Sequence, residues 1–153
     1  MTTTVAEMIP GQLVPLTEGR LLLVPNTAVA EIIPMGPYVP AEDDVDWHMG
    51  TYNWRGVDIP LLCFEAMNGG NVPELTPLTK IVVFNSLLDS SDLKFFGLVS
   101  QGIPTLKQID GGQIQESDSD EVPAFIQTAA VVDGTHVLIP DIVAISEQLL
   151  NLQ

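Results

Sequence analysis

The chain contains few of the residues that support covalent or metal-centred chemistry. It has a single cysteine, Cys63, which cannot form an internal disulfide bond, and only two histidines, His48 and His136. No group of cysteines and histidines has the spacing of zinc ligands. Because Cys63 lies within an apolar run, we predict that it is a small buried side chain. We expect no bound metal and no cofactor.

Basic residues are also scarce. Five Lys and Arg residues stand against twenty Asp and Glu residues, which gives a formal net charge of −15. Such a chain repels the phosphates of nucleic acids and anionic membrane surfaces, so we expect neither class of partner. The acidic excess either favours solubility or attracts a basic protein surface, and the composition leaves both interpretations open.

Long hydrophobic runs are absent, since no apolar segment reaches the roughly 18 to 20 residues that span a bilayer. Residues 1–7 contain no basic residue and no apolar core of a signal peptide, so we expect a cytoplasmic protein without membrane insertion. Hydrophobic residues nevertheless make up 46% of the chain and charged residues 16%, which argues against disorder. The 153 residues suit one compact domain, or two small subdomains that share a core.

Short apolar segments separated by turn residues predict a mainly β fold. The predicted strand pairs are Leu13–Leu16 with Arg20–Val24, Lys80–Asn85 with Leu93–Val99, and Phe125–Val132 with His136–Ile139. The segment Pro140–Leu150 changes to helical spacing, with Ile142, Ile145 and Leu149 on one face. No long helix separates the hairpin strands, which argues against a doubly wound parallel sheet.

The remaining segments are predicted to be loops or short turns. Residues 1–11 form an arm with a helical tendency around Val5–Ile9, and residues 34–46 form a proline-containing loop. Trp47–Gly50 is predicted to be one helical turn. Asp89–Asp92 is predicted to be a polar turn, and Gly111–Glu121 an acidic loop.

The segment Gly50–Glu65 is the most informative part of the chain. Aromatic residues at positions 52 and 54 share one parity, and aliphatic residues at positions 57, 59 and 61 share the other. Two half-buried strand segments therefore meet at the Arg55-Gly56 pair. A glycine at such a point predicts a bulge or a close approach of the backbone.

This segment resembles a motif of the CheW-like family of chemotaxis coupling proteins. The motif consists of a glycine, a short apolar strand, Arg-Gly, and an apolar strand that leads through a proline to a Leu-rich end. The corresponding residues here are Gly50, Tyr52–Trp54, Arg55-Gly56 and Val57–Phe64. Val29–Ile33 also resembles the family's Val-x-Glu-Ile segment, and the likeness covers roughly residues 12–151.

The resemblance implies a mainly β fold of two small, SH3-like, five-stranded β-barrel subdomains with a C-terminal helix. It implies an N-terminal arm at 1–11 and a single CheW-like domain at 12–151. The first barrel would cover approximately 12–78 together with the C-terminal helix, and the second approximately 79–139.

The function implied by the resemblance is that of a non-catalytic adaptor. It would couple the cytoplasmic tip of a chemoreceptor to a CheA-type histidine kinase in chemotaxis or twitching-motility signalling. The partner-binding residues carried over from the family are Val29, Glu31, Arg55 and Gly56. A stand-alone β-barrel interaction module with an unidentified partner is the alternative.

Three features point to a subtype of the family. Trp54-Arg55-Gly56 and Phe64-Glu65-Ala66, together with the short arm, look most like the ChpC-type couplers of type IV pilus chemosensory systems. The chain departs from the wider family at Trp54, where an aliphatic residue is more usual, and in its acidic loop at 40–48.

No motif in the chain supports catalysis. The acidic groups Asp43, Asp44 and Asp46, and Asp118, Asp120 and Glu121, lack the ordered ligands of a calcium loop. Gly69-Gly70 lacks the Lys and Ser/Thr of a phosphate-binding loop. We therefore expect a protein that is not an enzyme.

The role of Arg55 has two interpretations. Its planar guanidinium suits a carboxylate on a partner protein. In so acidic a chain it could equally form an internal ion pair with Glu31 or Glu65. The sequence leaves both open.

Overall fold

The structure is a computed structural model that describes residues 8–86, 93–110, 114–116, 125–132 and 134–152. The strands are β1 (Met8–Pro15), β2 (Leu21–Pro25), β3 (Val29–Pro34), β4 (Val39–Pro40), β5 (His48–Trp54), β6 (Val57–Leu62), β7 (Lys80–Asn85), β8 (Phe95–Ser100), β9 (Thr105–Asp110), β10 (Gln115–Glu116), β11 (Ile126–Val132) and β12 (Thr135–Pro140). The helices are α1 (Phe64–Met67) and α2 (Ile142–Leu150), and two 3-10 turns cover Thr17–Gly19 and Asn26–Ala28. The predicted turn at 89–92, residues 1–7 of the predicted arm, and Asp118, Asp120 and Glu121 lie outside the described residues.

The described strands form two sheets. The first sheet has the order β10-β11-β12-β2-β1-β9 and the second the order β3-β7-β8-β6-β5-β4. Most neighbours are antiparallel, and parallel pairing is restricted to β12 with β2 and β6 with β8. Each sheet has five strands of five or more residues plus one strand of two residues. The predicted mainly β fold with a C-terminal helix is confirmed.

The predicted boundary between the two barrels does not follow the sheets. A division near residue 78 assigns β7 and β8 to the second barrel, but both strands lie in the same sheet as β3 to β6. Likewise β1 and β2, assigned to the first barrel, lie in the same sheet as β9 to β12. The physical reason is that β1 pairs with β9 and β3 with β7, which are contacts between distant parts of the chain.

Three apolar clusters hold the sheets together. The central core lies between the sheets and draws buried residues from both, including Leu22 of β2 and Phe84 of β7. The outer core of the first sheet includes Leu23, and the outer core of the second sheet includes Val83. Neighbouring residues on one strand thus enter different cores, because successive side chains point to opposite faces. This is why the sequences of β2, β7 and β8 are almost continuously apolar.

Helix α2 completes the central core. Its Ile142, Ile145 and Leu149 are buried in that core, as the helical spacing of the sequence predicted. The Asp141 side chain accepts a 3.0 Å hydrogen bond from the Ala144 N–H, which caps the N-terminus of the helix.

Two local predictions are wrong because strand pairing overrides local tendency. Trp47–Gly50 is not a helical turn, since His48 begins β5 and the Trp47 carbonyl accepts a 2.9 Å hydrogen bond from the Cys63 N–H. The helical tendency does not extend to Ile9, which lies opposite Ile109 in the β1–β9 pair.

Gly50 provides a test of this architecture. It adopts a φ of 152°, and a Cβ atom there would overlap the Val39 carbonyl oxygen of β4. We expect Gly50→Ala to lower the free energy of unfolding by about 2–4 kcal/mol. The control is Gly102→Ala, whose Cβ would make ordinary contacts of 3.7 and 3.8 Å with Pro15. Equal denaturant midpoints for the two variants would contradict the tight β4–β5 approach.

Candidate functional site

The segment singled out in the sequence forms the β5–β6 hairpin. Trp54 lies opposite Val57, and the two residues between them have positive φ values, 52° for Arg55 and 81° for Gly56. These are the signs of a type I′ turn, which joins antiparallel strands through two residues. The prediction of a bulge or a close backbone approach at Gly56 is therefore wrong, and a Cβ atom there would meet nothing within 4 Å. Across a two-residue turn the apolar residues change from even-numbered positions to odd-numbered ones. The residues at 52 and 54 nevertheless lie opposite those at 59 and 57, so both sets of side chains are on one face of the sheet.

The turn holds Arg55 against Glu31 of β3. Arg55 donates from Nε to Glu31 Oε1 at 3.2 Å and from Nη2 to Oε2 at 2.8 Å, which is a bidentate ion pair. The Trp54 indole Nε1–H donates to the same Oε1 at 2.7 Å. In the second sheet β3 and β5 are separated by β7, β8 and β6. These contacts therefore require the sheet to curl, so that strands distant in the hydrogen-bonded order come together.

Trp54 packs beneath this pair. Its ring meets Phe95 edge to face with 4.9 Å between centroids, and it packs against the outer core of the second sheet. The Arg55 Cζ lies 5.5 Å from the centroid of the Trp54 ring, within the range of a cation–π contact. The Arg55 side chain is nevertheless 68% exposed. The arrangement therefore presents a fixed positive group at the surface of a strongly acidic protein.

The electrostatics of the pair reinforce its charged state. The hydrogen bonds from Arg55, and next the one from Trp54, lower the pKa of the Glu31 carboxyl. The hydrogen bond to Glu31 in turn raises the pKa of Arg55. Both groups are consequently ionised at neutral pH, and protonation of Glu31 requires a more acidic solution than for an isolated glutamate.

The four predicted site residues do not all share one surface. Glu31, Arg55 and Gly56 lie together, whereas Val29 packs against the central core. The pairing of β3 shifts between Val29, opposite Phe84, and Glu31, opposite Val83. Because adjacent residues of β7 face opposite sides, this irregularity directs Val29 and Glu31 to different faces.

Glu65, the other candidate partner of Arg55, has a different role. It is 4% exposed, and its Oε2 accepts a 3.1 Å hydrogen bond from the Thr17 backbone N–H. Thr17 lies between β1 and β2, so this carboxylate ties α1 to the first sheet. The sequence offered no sign of this contact, because it joins residues 48 positions apart.

The histidines lie on different sheets, His48 in β5 and His136 in β12. His48 Nδ1 lies 2.7 Å from Asp43 Oδ2, and this hydrogen bond lowers the pKa of Asp43. Among the described residues, no group of three or more His, Cys, Asp or Glu side chains could hold a metal ion. None of the described helices is both long and apolar enough to cross a membrane.

Comparison with known proteins finds a matching family model and similar solved structures, but no matching curated protein. The family model described as the CheW-like domain matches residues 12–149. The crystal structure of the scaffolding protein TtCheW from Thermoanaerobacter tengcongensis superimposes with a TM-score of 0.74 at 17% sequence identity, covering 92% of this chain and 88% of that one. No curated protein sequence matches significantly. The structural match supports the two SH3-like subdomains of the fold.

Cys63 gives a chemical test of the packing where β6 joins α1. Burial raises the pKa of its thiol to about 11, and the side chain is fully enclosed. At pH 8 only about one thiol in a thousand would then be ionised. We expect Ellman's reagent to leave the native protein unlabelled and to label one thiol after unfolding in guanidinium chloride. Rapid stoichiometric labelling of the native protein would contradict the enclosed position of Cys63.

Proposed function

This chain belongs to the CheW-like domain family of non-catalytic scaffold and coupling proteins, and on that premise we propose that it links the cytoplasmic tip of a chemoreceptor to a CheA-type histidine kinase. Its adaptor role in chemotaxis signalling follows from the family. We propose, beyond this role, that the partners are a receptor and a kinase and that the protein is located in the cytoplasm. Regulation would result from holding receptor and kinase in a defined relation, without any chemical step on this chain.

The observation that carries the proposal is the exposed, fixed guanidinium of Arg55. Two of its five N–H groups bond Glu31, and its 68% exposure leaves the others open to solvent. Such a group suits a carboxylate on the receptor tip. Glu31 and Gly56 would complete this surface, one by orienting Arg55 and the other by forming the turn. Val29 would contribute through the β3 backbone, because its side chain packs inward.

We extend the proposal to the cellular response that this signalling controls. Trp54-Arg55-Gly56 and Phe64-Glu65-Ala66 resemble the ChpC-type couplers, which supports a role in type IV pilus signalling and twitching motility. The kinase would bind through its regulatory domain, itself CheW-like in fold, on a surface separate from Arg55. The net charge of −15 favours basic patches on either partner and argues against nucleic acid.

The first test is Arg55→Ala, with Arg20→Ala as the control. We expect Arg55→Ala to weaken binding of a chemoreceptor cytoplasmic fragment by about 10- to 100-fold, because a charged hydrogen-bonding group is lost. The melting temperature should change little, since the Arg55 side chain is 68% exposed and an ion pair that reaches the surface contributes little to stability. Arg20, the other arginine, lies on the first sheet's turn and is 49% exposed, so its loss should leave the affinity unchanged.

The outcomes separate the two roles of Arg55. A large fall in melting temperature for Arg55→Ala would assign the residue to structure. Unchanged melting temperature together with unchanged affinity would remove the main support for a receptor-facing surface here.

The second test concerns the kinase. A CheA-type kinase carrying a radioactive phosphoryl group should transfer no label to this chain, while receptor control of the kinase should require the chain. Label on the chain would overturn the adaptor role. If the chain binds the receptor but not the kinase, the result would instead favour a stand-alone β interaction module.

A further inference from the structure

We propose that Trp54 is a positioning residue, which sets the direction of the Arg55 guanidinium toward a carboxylate on the receptor by holding Glu31. This inference rests on the proposed function. It concerns the residue that directly precedes Arg55 and ends strand β5.

Trp54 is itself firmly held. Its ring packs against the outer core of the second sheet, which includes the fully buried Leu61 and Ile81. The 4.9 Å edge-to-face contact with Phe95 restricts rotation of the ring. The indole N–H is consequently presented in one direction, toward β3.

This direction determines the position of the Glu31 carboxylate. Oε1 accepts from Trp54 Nε1 at 2.7 Å and from Arg55 Nε at 3.2 Å, while Oε2 accepts from Arg55 Nη2 at 2.8 Å. The Glu31 side chain is 32% exposed, so water competes for the same oxygens. The indole bond is the shortest of the three and comes from a ring that packs against the outer core of the second sheet. It therefore anchors Oε1 and limits the positions from which the carboxylate can receive Arg55.

Arg55 gains its direction from both residues. An exposed arginine on a two-residue turn has many rotamers, and ordering them on binding lowers affinity. Here the carboxylate fixes the guanidinium from one side and the Trp54 ring supports it from below at 5.5 Å. The group is thus ordered before a partner arrives. An aliphatic residue at position 54 would supply neither the hydrogen bond nor the ring face.

The variants separate these contributions. Trp54→Phe keeps an aromatic ring and removes the N–H donor, whereas Trp54→Leu removes both. The control is Trp47→Phe, because Trp47 packs against the central core and has no bond to Glu31. We expect Trp54→Phe to weaken binding of the receptor fragment about three- to tenfold, and Trp54→Leu to weaken it further. Trp47→Phe should leave the affinity unchanged.

Two readouts distinguish positioning from simple packing. Carbon-13 NMR of the Glu31 side-chain carboxyl, measured without any partner, should show a higher titration midpoint in Trp54→Phe than in the unaltered protein. In a Glu31→Ala background, Trp54→Phe should cause no further loss of affinity, because the residue through which Trp54 acts is gone. The melting temperature of Trp54→Phe reports any packing loss separately.

The outcomes also keep this inference apart from the proposed function. An unmoved Glu31 midpoint, or an equal loss of affinity with and without Glu31, would overturn the positioning role while leaving Arg55 as a recognition group. If Arg55→Ala leaves receptor binding unchanged, the proposed receptor surface falls whatever the Glu31 titration shows.

Discussion

The architecture depends on burial of the same strands from both sides. β2, β7 and β8 contribute alternate residues to the central core and to an outer core, so each is covered by apolar side chains on two faces. Removing water from both faces supplies the main free-energy gain for these strands. It also obliges their N–H and C=O groups to pair within the sheets, since an unpaired buried group is costly. The two sheets and α2 are therefore parts of one packed unit, with the central core shared among them.

The candidate site is a product of this packing. The second sheet curls around its outer core, which brings β3 to the β5–β6 turn although three strands separate β3 from β5 in the sheet order. Glu31 is placed by one strand, Arg55 by a turn and Trp54 by the core beneath both. In a flat sheet Glu31 would contact neither Trp54 nor Arg55. The candidate surface is thus specified by the apolar residues that pack beneath it.

The three predicted strand pairs and helix α2 could be predicted because their signals are local. Alternation and helical spacing depend on neighbouring residues, and Ile142, Ile145 and Leu149 lie where the spacing placed them. The Arg55-Gly56 turn was less accessible, since a change of parity is compatible with a bulge or with a two-residue turn, and a non-glycine residue with φ of 52° is uncommon. Two features depend on pairings between distant strands. Arg55 pairs with Glu31 and not with Glu65, and the Val29 side chain packs inward. No local pattern contains that information.

The division of the sheets also has a consequence for biosynthesis. The second sheet is continuous in the chain, from Val29 to Ser100, so all of its strands leave the ribosome in succession. The first sheet is interrupted, because β1 and β2 pair with β9 and β12, which are made only after the whole second sheet. A nascent chain at that stage has an N-terminal hairpin without its later neighbours, and apolar strand faces in this state favour aggregation. We expect the β1–β2 hairpin to pack against the second sheet through the central core until translation supplies β9 and β12.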